Sequence, residues 1–183
     1  NEYIRILESR GYELAKMKVF RRGIDTALFS PRLESKTSIG KRFGIKTSKT
    51  LLYAGRISKD KNLDFLIDMF LAVRTRYPDV SLLFAGDGPA LADLKARYGE
   101  GHAIIFVGRL DRDALPELYS GADVFVFPSN TDTFGMVVIE AQSCGLPAVV
   151  SNVGGPQELV IDTETGFVVS TNDCDTWVDK VHH

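Results

Sequence analysis

The amino-acid sequence predicts an α/β fold, a three-layer α/β/α domain built around a mainly parallel sheet. Short runs of Val, Ile, Leu and Phe alternate along the chain with longer amphipathic segments, and Gly, Pro or Asp bounds these runs. The runs are continuously apolar, which is typical of strands buried on both faces of a parallel sheet. Over residues 50–169 this alternation predicts right-handed crossovers and therefore one doubly wound, Rossmann-like domain.

Each element follows from its local pattern. Seven apolar runs are predicted to be strands, at residues 17–20, 50–54, 80–85, 103–107, 123–127, 147–151 and 166–169. The longest predicted helix covers residues 63–77, where apolar residues recur at three- and four-residue steps, with Asn62 as its cap and Pro78 as its stop. Shorter helices are predicted at residues 3–12, 38–43, 90–98, 114–120, 136–144 and 156–160.

The composition excludes several classes of protein. Of the 183 residues, 44% are apolar and 25% are charged, proportions typical of a folded domain with a hydrophobic core and not of a disordered chain. The 22 basic and 24 acidic residues nearly balance, which argues against a basic nucleic-acid-binding footprint over the whole chain. Two cysteines cannot form a disulfide framework, and we expect reduced thiols. No apolar run approaches the roughly 20 residues of a membrane-spanning helix.

The ends of the sequence suggest a piece of a longer protein, since it begins without Met and ends at residues 180–183 in what reads as an unfinished helix. We expect residues 1–22 to be a hinge-proximal segment from the end of a preceding domain. Residues 23–181 are then the main α/β domain, and residues 182–183 are interpreted as a tag remnant.

Ligands of open parallel sheets bind beyond the carboxyl ends of the strands, so the strand-to-helix loops are the candidate sites. Gly55, Arg56 and Lys61 follow the second predicted strand. Gly55 permits close backbone approach, and two cations on one loop suit a diphosphate; an ordinary solvated loop is the equally weighted alternative. The Gly-Asp-Gly of residues 86–88 resembles a dinucleotide fingerprint only weakly, and a tight turn in which Asp87 caps the next helix is favoured.

Two further loops carry candidate residues. At Gly108 the backbone can approach a nucleobase edge, and Arg109 can stack on a base or pair with phosphate; a strand-ending turn with a surface arginine is the alternative. The loop over residues 128–140 is the strongest candidate, because a helix begins there behind exposed N–H groups that suit phosphate. Asp132 and Glu140 flank that helix start and can accept hydrogen bonds from sugar or ribose hydroxyls.

Other types of site find little support in the sequence. Cys144 and Cys174 are thirty positions apart without neighbouring ligands, so no metal site is expected. His102 lacks an evident nucleophile or carboxylate partner, and a surface or capping role is favoured. No nucleophile–base constellation is evident.

The order of the motifs is more specific than any one of them. They are RGIDTALFSP (22–31), GR (55–56) with Lys61, FAGDGP (84–89), ADVFVFPS (122–129), DTFG (132–135) with EA (140–141), CGLP (144–147), GGP (154–156) with Glu158, and TG (165–166). This series closely resembles the carboxyl-terminal, donor-binding domain of glycosyltransferase family 4, the group 1 glycosyl transferases, over residues 18–169. The resemblance implies a GT-B architecture, retaining sugar transfer from a nucleotide-diphosphate donor, and no essential metal or other cofactor.

The resemblance also implies roles for particular residues. Arg56 and Lys61 are the expected catalytic cations, binding the diphosphate and stabilising the leaving group. Glu140 is expected to hold the ribose, while Asp132 takes the place of a usual Glu that faces the sugar, and Arg22 stands where Asn is more usual. The remaining expected donor-binding residues are Gly55, Arg109, Leu110, Phe134, Gly135, Met136 and Val137, with the backbone amides of 134–137 holding phosphate and sugar.

We therefore expect the donor-binding half of a retaining glycosyltransferase, whose partners are a UDP- or GDP-type nucleotide sugar and an amino-terminal acceptor domain of the same protein. The piece alone is expected to bind donor without transferring sugar. A non-catalytic nucleotide-sugar-binding module and a GT-B-type nucleotide-sugar epimerase are the alternatives. The expected location is cytoplasmic, with peripheral contact at the inner face of the membrane left open for the longer protein.

Overall fold

The computed structural model describes residues 2–18 and 22–183. The helices of this part are α1 (Glu2–Ser9), α2 (Ser35–Phe43), α3 (Leu63–Arg76), α4 (Leu91–Tyr98), α5 (Leu115–Gly121), α6 (Met136–Ser143) and α7 (Cys174–His182). The strands are β1 (Lys49–Ala54), β2 (Val80–Ala85), β3 (Ile104–Gly108), β4 (Val124–Phe127), β5 (Ala148–Ser151) and β6 (Gly166–Val169). Short 3₁₀ helices occur at Leu14–Lys16, Lys59–Lys61, Arg112–Ala114 and Gly155–Leu159.

The six strands form one sheet in the order β3-β2-β1-β4-β5-β6, and every neighbouring pair is parallel. The α/β fold with a mainly parallel, Rossmann-like sheet is therefore confirmed. The order reverses between β1 and β4, which lie side by side although β2 and β3 separate them in sequence. Loops leave the carboxyl ends of these two strands in opposite directions, so a crevice opens between them.

The core explains why the strands could be recognised. β2 is buried at all six positions and β1 at five of six, since helices cover both faces of the sheet. Tyr53 of β1 packs against Phe84 and Phe127, with ring centroids 5.5 and 5.7 Å apart. α7 closes the core by packing on α3, where the fully buried Trp177 meets Phe65 edge-on at 5.6 Å.

Several local predictions differ from the structure. The strand expected at residues 17–20 falls partly outside the described residues, and residues 17–18 have no regular secondary structure. The segment expected to be a helix at 156–160 is a 3₁₀ turn, Gly155–Leu159. α2 begins at Ser35, three residues before the predicted start, and packs against α5.

Asn62 occupies the N-cap position of α3 as predicted, whereas the prediction that Asp87 caps α4 is wrong. Asn62 precedes α3 in a left-handed conformation (φ 57°) with no capping side-chain bond, because its amide points to the carbonyl oxygen of Pro128 at 3.5 Å. The residue before α4 is Ala90, and the Asp87 carboxylate accepts from the nearby N–H of Gly88. In the described part of the chain, no helix is both long and apolar enough to cross a membrane.

Candidate functional site

A cavity of about 310 Å³ opens at the carboxyl edge of the sheet. Its walls come from the loops after β1, β2 and β3 and from α5 and α6. The lining residues are Ala54, Gly55, Arg56, Ala85, Gly86, Asp87, Arg109, Leu110, Leu115, Tyr119 and Val137. Five predicted site residues, Gly55, Arg56, Arg109, Leu110 and Val137, therefore meet at one cavity, although they come from three separate stretches of sequence.

The floor of this cavity is held together by close packing of the first two loops. The N–H of Gly55 donates to the carbonyl of Ala85, and the N–H of Ile57 donates to that of Asp87, both at 2.9 Å. A Cβ on Gly86, whose φ is +141°, would lie 1.8 Å from the carbonyl oxygen of Gly55. The Gly-Asp-Gly motif thus serves a structural role, letting two backbone segments touch, as the prediction of a tight turn implied.

The two arginines are the free cations of the cavity. Both Arg56 and Arg109 are exposed, and neither guanidinium has a hydrogen bond or ion pair with another side chain in residues 2–18 and 22–183. A hydrogen bond from the core holds the backbone at Arg56: the buried Tyr53 hydroxyl donates to the carbonyl oxygen of Arg56 at 2.9 Å. Burial raises the pKa of Tyr53 strongly, and the charges of Asp132 and Asp60 add to the shift, so Tyr53 remains a donor.

Lys61, seven residues after the end of β1, does not line the cavity and is paired. Its ammonium is 2.9 Å from Oδ2 of Asp132, 3.4 Å from Oδ2 of Asp60 and 3.4 Å from Oγ1 of Thr131. Because Lys61 follows β1 and Asp132 follows β4, this ion pair crosses the crevice where the strand order reverses. The structure thus brings two predicted site residues together directly.

The loop before α6 is braced by residues 154–156. The N–H of Gly155 donates to the carbonyl of Asp132 at 2.8 Å, and a Cβ on Gly155 would lie 2.2 Å from the carbonyl oxygen of Thr133. Gly135 takes a left-handed conformation (φ +88°) against Pro156 and precedes the first residue of α6, Met136. Phe134, Gly135 and Met136 therefore lie at the amino end of α6, where first-turn N–H groups lack intrahelical acceptors.

Glu140 sits in the second turn of α6, three residues after Val137 and on the same side of the helix. The Tyr119 hydroxyl donates to its Oε2 at 3.2 Å. Partial burial raises the pKa of Glu140, an effect that the Tyr119 hydrogen bond and the Arg112 charge oppose. Burial and the charge of Glu140 likewise raise the pKa of Tyr119.

The cavity lining does not include Lys61, Asp132, Glu140 or residues 134–136. Three of the lining residues, Asp87, Leu115 and Tyr119, are not among the site residues predicted from the sequence. Tyr119 lies within the apolar pattern of α5, and a tyrosine among core residues gave no signal that its hydroxyl reaches a carboxylate 21 positions away.

The remaining candidates from the sequence stay outside the site. Nδ1 of His102 contacts the backbone oxygen of Glu100 at 2.7 Å, and its ring meets Tyr98 edge-on. Cys144 is buried and Cys174 partly so, and both are free thiols. Within residues 2–18 and 22–183, no group of three His, Cys, Asp or Glu residues could hold a metal ion. Independence from metal stays a prediction about the reaction.

Comparison with known families gives a match over most of the chain. The model of the family "Glycosyl transferases group 1" matches residues 35–183. Among curated relatives, the sulfoquinovosyl transferase of Arabidopsis thaliana is 32% identical over 170 residues, which cover 91% of this chain and 32% of that protein. A glycogen synthase of Mycobacterium tuberculosis is 34% identical over 175 residues, covering 92% of this chain and 39% of the synthase. The chain thus spans between a third and a half of such relatives.

Solved structures agree on the fold. Sucrose-phosphate synthase from Thermosynechococcus elongatus is 29% identical, with a TM-score of 0.80 over 99% of this chain and 45% of the synthase. Anabaena HepE in complex with UDP and glucose has a TM-score of 0.78 over 98% of this chain and 52% of HepE, at 22% identity. This chain belongs to the group 1 glycosyl transferase family and has the fold of the carboxyl-terminal domain of a GT-B glycosyltransferase.

Proposed function

We propose that this chain is the donor-binding half of a retaining glycosyltransferase and that its cavity takes a nucleotide-diphosphate sugar. One observation carries the proposal: Arg56 and Arg109 line the same cavity, and neither has a counter-ion among the described side chains. Unpaired guanidinium groups at the carboxyl edge of a parallel sheet suit an anionic ligand that binds bidentately. The volume, about 310 Å³, lies at the lower end of small-molecule pockets.

The diphosphate is assigned to the β1 side of the site. In glycosyl transfer the bond between the sugar and the β-phosphate breaks, and negative charge builds on the leaving nucleoside diphosphate. Arg56 and Lys61 follow β1 and would stabilise that charge, as preorganised cations do in other transfer reactions. The amides at the start of α6, residues 134–137, would add donors from the opposite side.

The nucleoside is assigned to the opposite wall. Leu110 and Leu115 present apolar surface beside Arg109, which suits a planar base. Glu140 would accept hydrogen bonds from the ribose diol, as carboxylates do in other nucleotide sites on such folds. Asp132 would face the hydroxyls of the donor sugar once it is released from Lys61.

The wider assignment follows from the lengths of the relatives. We infer that an acceptor domain of the same protein faces this cavity, that residues 1–22 lead from it, and that residues 23–181 form the donor domain. Residues 182–183 remain interpreted as a tag remnant. A cytoplasmic location, with the membrane met only peripherally, fits a nucleotide-sugar donor. The chain by itself is expected to bind nucleotide without transferring sugar.

Calorimetric titration of the chain with UDP, GDP and ADP tests the proposal. We expect one nucleotide to bind preferentially, and Arg56→Ala and Glu140→Ala each to weaken it by about 10-fold or more, since a hydrogen bond to a charged group contributes about 1.5–3 kcal/mol. Arg97→Ala is the matched control, because Arg97 pairs with Asp64 and Asp93 away from the cavity. Absence of binding for all three nucleotides, or equal losses in the control, would overturn the proposal.

A further inference from the structure

The crevice between β1 and β4 is bridged by four polar side chains from two loops. Asp60 and Lys61 follow β1, and Thr131 and Asp132 follow β4. Besides the three contacts of the ammonium, Thr131 Oγ1 donates to the backbone oxygen of Asp60 at 3.1 Å and lies 3.3 Å from its Oδ2. This β1–β4 bridge carries two carboxylates and one ammonium, so its net charge is negative.

The two carboxylates hold Lys61 differently. Asp132 is the nearer partner, at 2.9 Å against 3.4 Å for Asp60, and its side chain is 25% exposed against 52%. Only 15% of the Lys61 side chain is exposed. Because Coulomb attraction grows as distance and solvent screening fall, Asp132 attracts Lys61 more strongly than Asp60 does.

A diphosphate that binds the Lys61 ammonium would compete with the Asp132 carboxylate for it. Two anions on the same side of one cation repel each other, and the β1–β4 bridge already has an excess of negative charge. Asp60 keeps its link to the opposite loop through Thr131 whether or not Asp132 moves, so the position of Lys61 does not depend on Asp132 alone.

From these contacts, and resting on the proposed function, we propose that Asp132 is an exchangeable counter-ion of Lys61. The diphosphate of the donor displaces the Asp132 carboxylate from the ammonium, while Asp60 and Thr131 hold Lys61 in place. The freed carboxylate then becomes available to hydroxyl groups of the donor sugar. Release of Asp132 thereby couples binding of the diphosphate to recognition of the sugar.

The exchange predicts an unusual gain of affinity. Asp132→Asn removes the carboxylate that competes with the diphosphate for Lys61. The preferred nucleoside diphosphate among UDP, GDP and ADP should therefore bind about five-fold more tightly, which is the factor expected for one well-formed ion pair near the surface. In the Lys61→Met background the same change has no such effect, because no ammonium is left to release. Asp132→Glu, which keeps the charge, binds as the wild-type chain does.

Asp60→Asn is the matched control, since it removes an equal charge from the same ammonium. Under exchange it tightens binding less than Asp132→Asn does. If the two variants tightened binding equally, general charge removal would explain both, and the proposal would be overturned. It would also be overturned if Asp132→Asn left affinity unchanged, or tightened it equally in the Lys61→Met background, while the wild-type chain still bound nucleotide. Failure of the wild-type chain to bind any nucleotide would instead remove the proposed function itself.

Circular dichroism of each variant establishes that it is folded before titration. Should Asp132→Asn lose the wild-type spectrum, Asp132→Ser removes the same charge with a smaller side chain, and the same double-mutant comparison with Lys61→Met applies.

Discussion

The hydroxyl of Tyr119 donates a 3.2 Å hydrogen bond to Oε2 of Glu140, linking a residue that lines the cavity to a carboxylate just outside its lining. Burial raises the pKa of Glu140, so ionising this group in the folded chain opposes folding in part. A carboxylate kept in such a place is typical of a functional group that is retained at some expense of stability.

Glu140→Gln should therefore change the pH dependence of stability. Because the pKa of Glu140 is higher in the folded than in the unfolded chain, its stabilising contribution is fully present below the unfolded value of about 4.3 and is lost as pH rises through the folded value. The glutamine does not titrate. We expect the unfolding free energy of the variant, relative to the wild-type chain, to rise as the pH increases above about 4.3. Urea unfolding at several pH values measures it, and a flat or falling difference would contradict the assignment.

Tyr119→Phe should change the pKa of Glu140 by removing the hydrogen bond that its carboxylate accepts. The hydrogen bond from Tyr119 lowers the pKa of Glu140, so its loss should raise that pKa further. We expect a stability loss of about 1 kcal/mol and weaker nucleotide binding. Carbon-13 NMR titration of the Glu140 carboxyl group reads the pKa directly. A pKa that stays the same or falls would mean that the hydrogen bond does not stabilise the ionised form.

Most of the fold could be predicted from sequence because its strands are buried on both faces. β4 is an unbroken apolar run and β2 is interrupted only by Ser81, and the turns between elements carry Gly or Pro. The errors lie where contacts between distant loops decide the local structure. Asn62 stands at the N-cap of α3 without a capping bond, because its amide points to the carbonyl of Pro128, and the Asp87 carboxylate accepts from the adjacent N–H of Gly88.

The candidate site could be predicted in part for a related reason. Arg56 and Arg109 stand at the ends of recognisable strands, so the rule for parallel sheets places them together. The Lys61–Asp132 ion pair could be predicted only with the strand order, which puts β1 beside β4 although the two residues are 71 positions apart. The contact between Tyr119 and Glu140 could not be predicted from the sequence, since only packing of α5 against α6 brings the Tyr119 hydroxyl to Glu140.

Gly86→Ala tests whether close approach of two loops shapes the cavity. The new Cβ would lie 1.8 Å from the carbonyl oxygen of Gly55, a backbone atom that cannot yield without moving the Arg56 loop. We expect a loss of at least about 2 kcal/mol in unfolding free energy and a loss of nucleotide binding. Gly23→Ala is the control, because among the described residues no atom beyond its two chain neighbours lies within 4 Å of its added Cβ, and its stability should change by less than about 0.5 kcal/mol. Equal effects would contradict the structural role.

Tyr53→Phe separates the position of Arg56 from its charge. The variant keeps the ring contacts with Phe84 and Phe127 but removes the hydroxyl that donates to the Arg56 carbonyl. A buried hydrogen bond contributes about 0.5–1.5 kcal/mol, so we expect a stability loss of that size. Because the guanidinium is retained, nucleotide affinity should fall less than in Arg56→Ala, and the dependence of affinity on salt should stay that of the wild-type chain. Titrations at two salt concentrations measure both. An affinity loss equal to that of Arg56→Ala would mean that this one hydrogen bond determines where the cation lies, and an unchanged affinity would mean that the loop holds Arg56 without it.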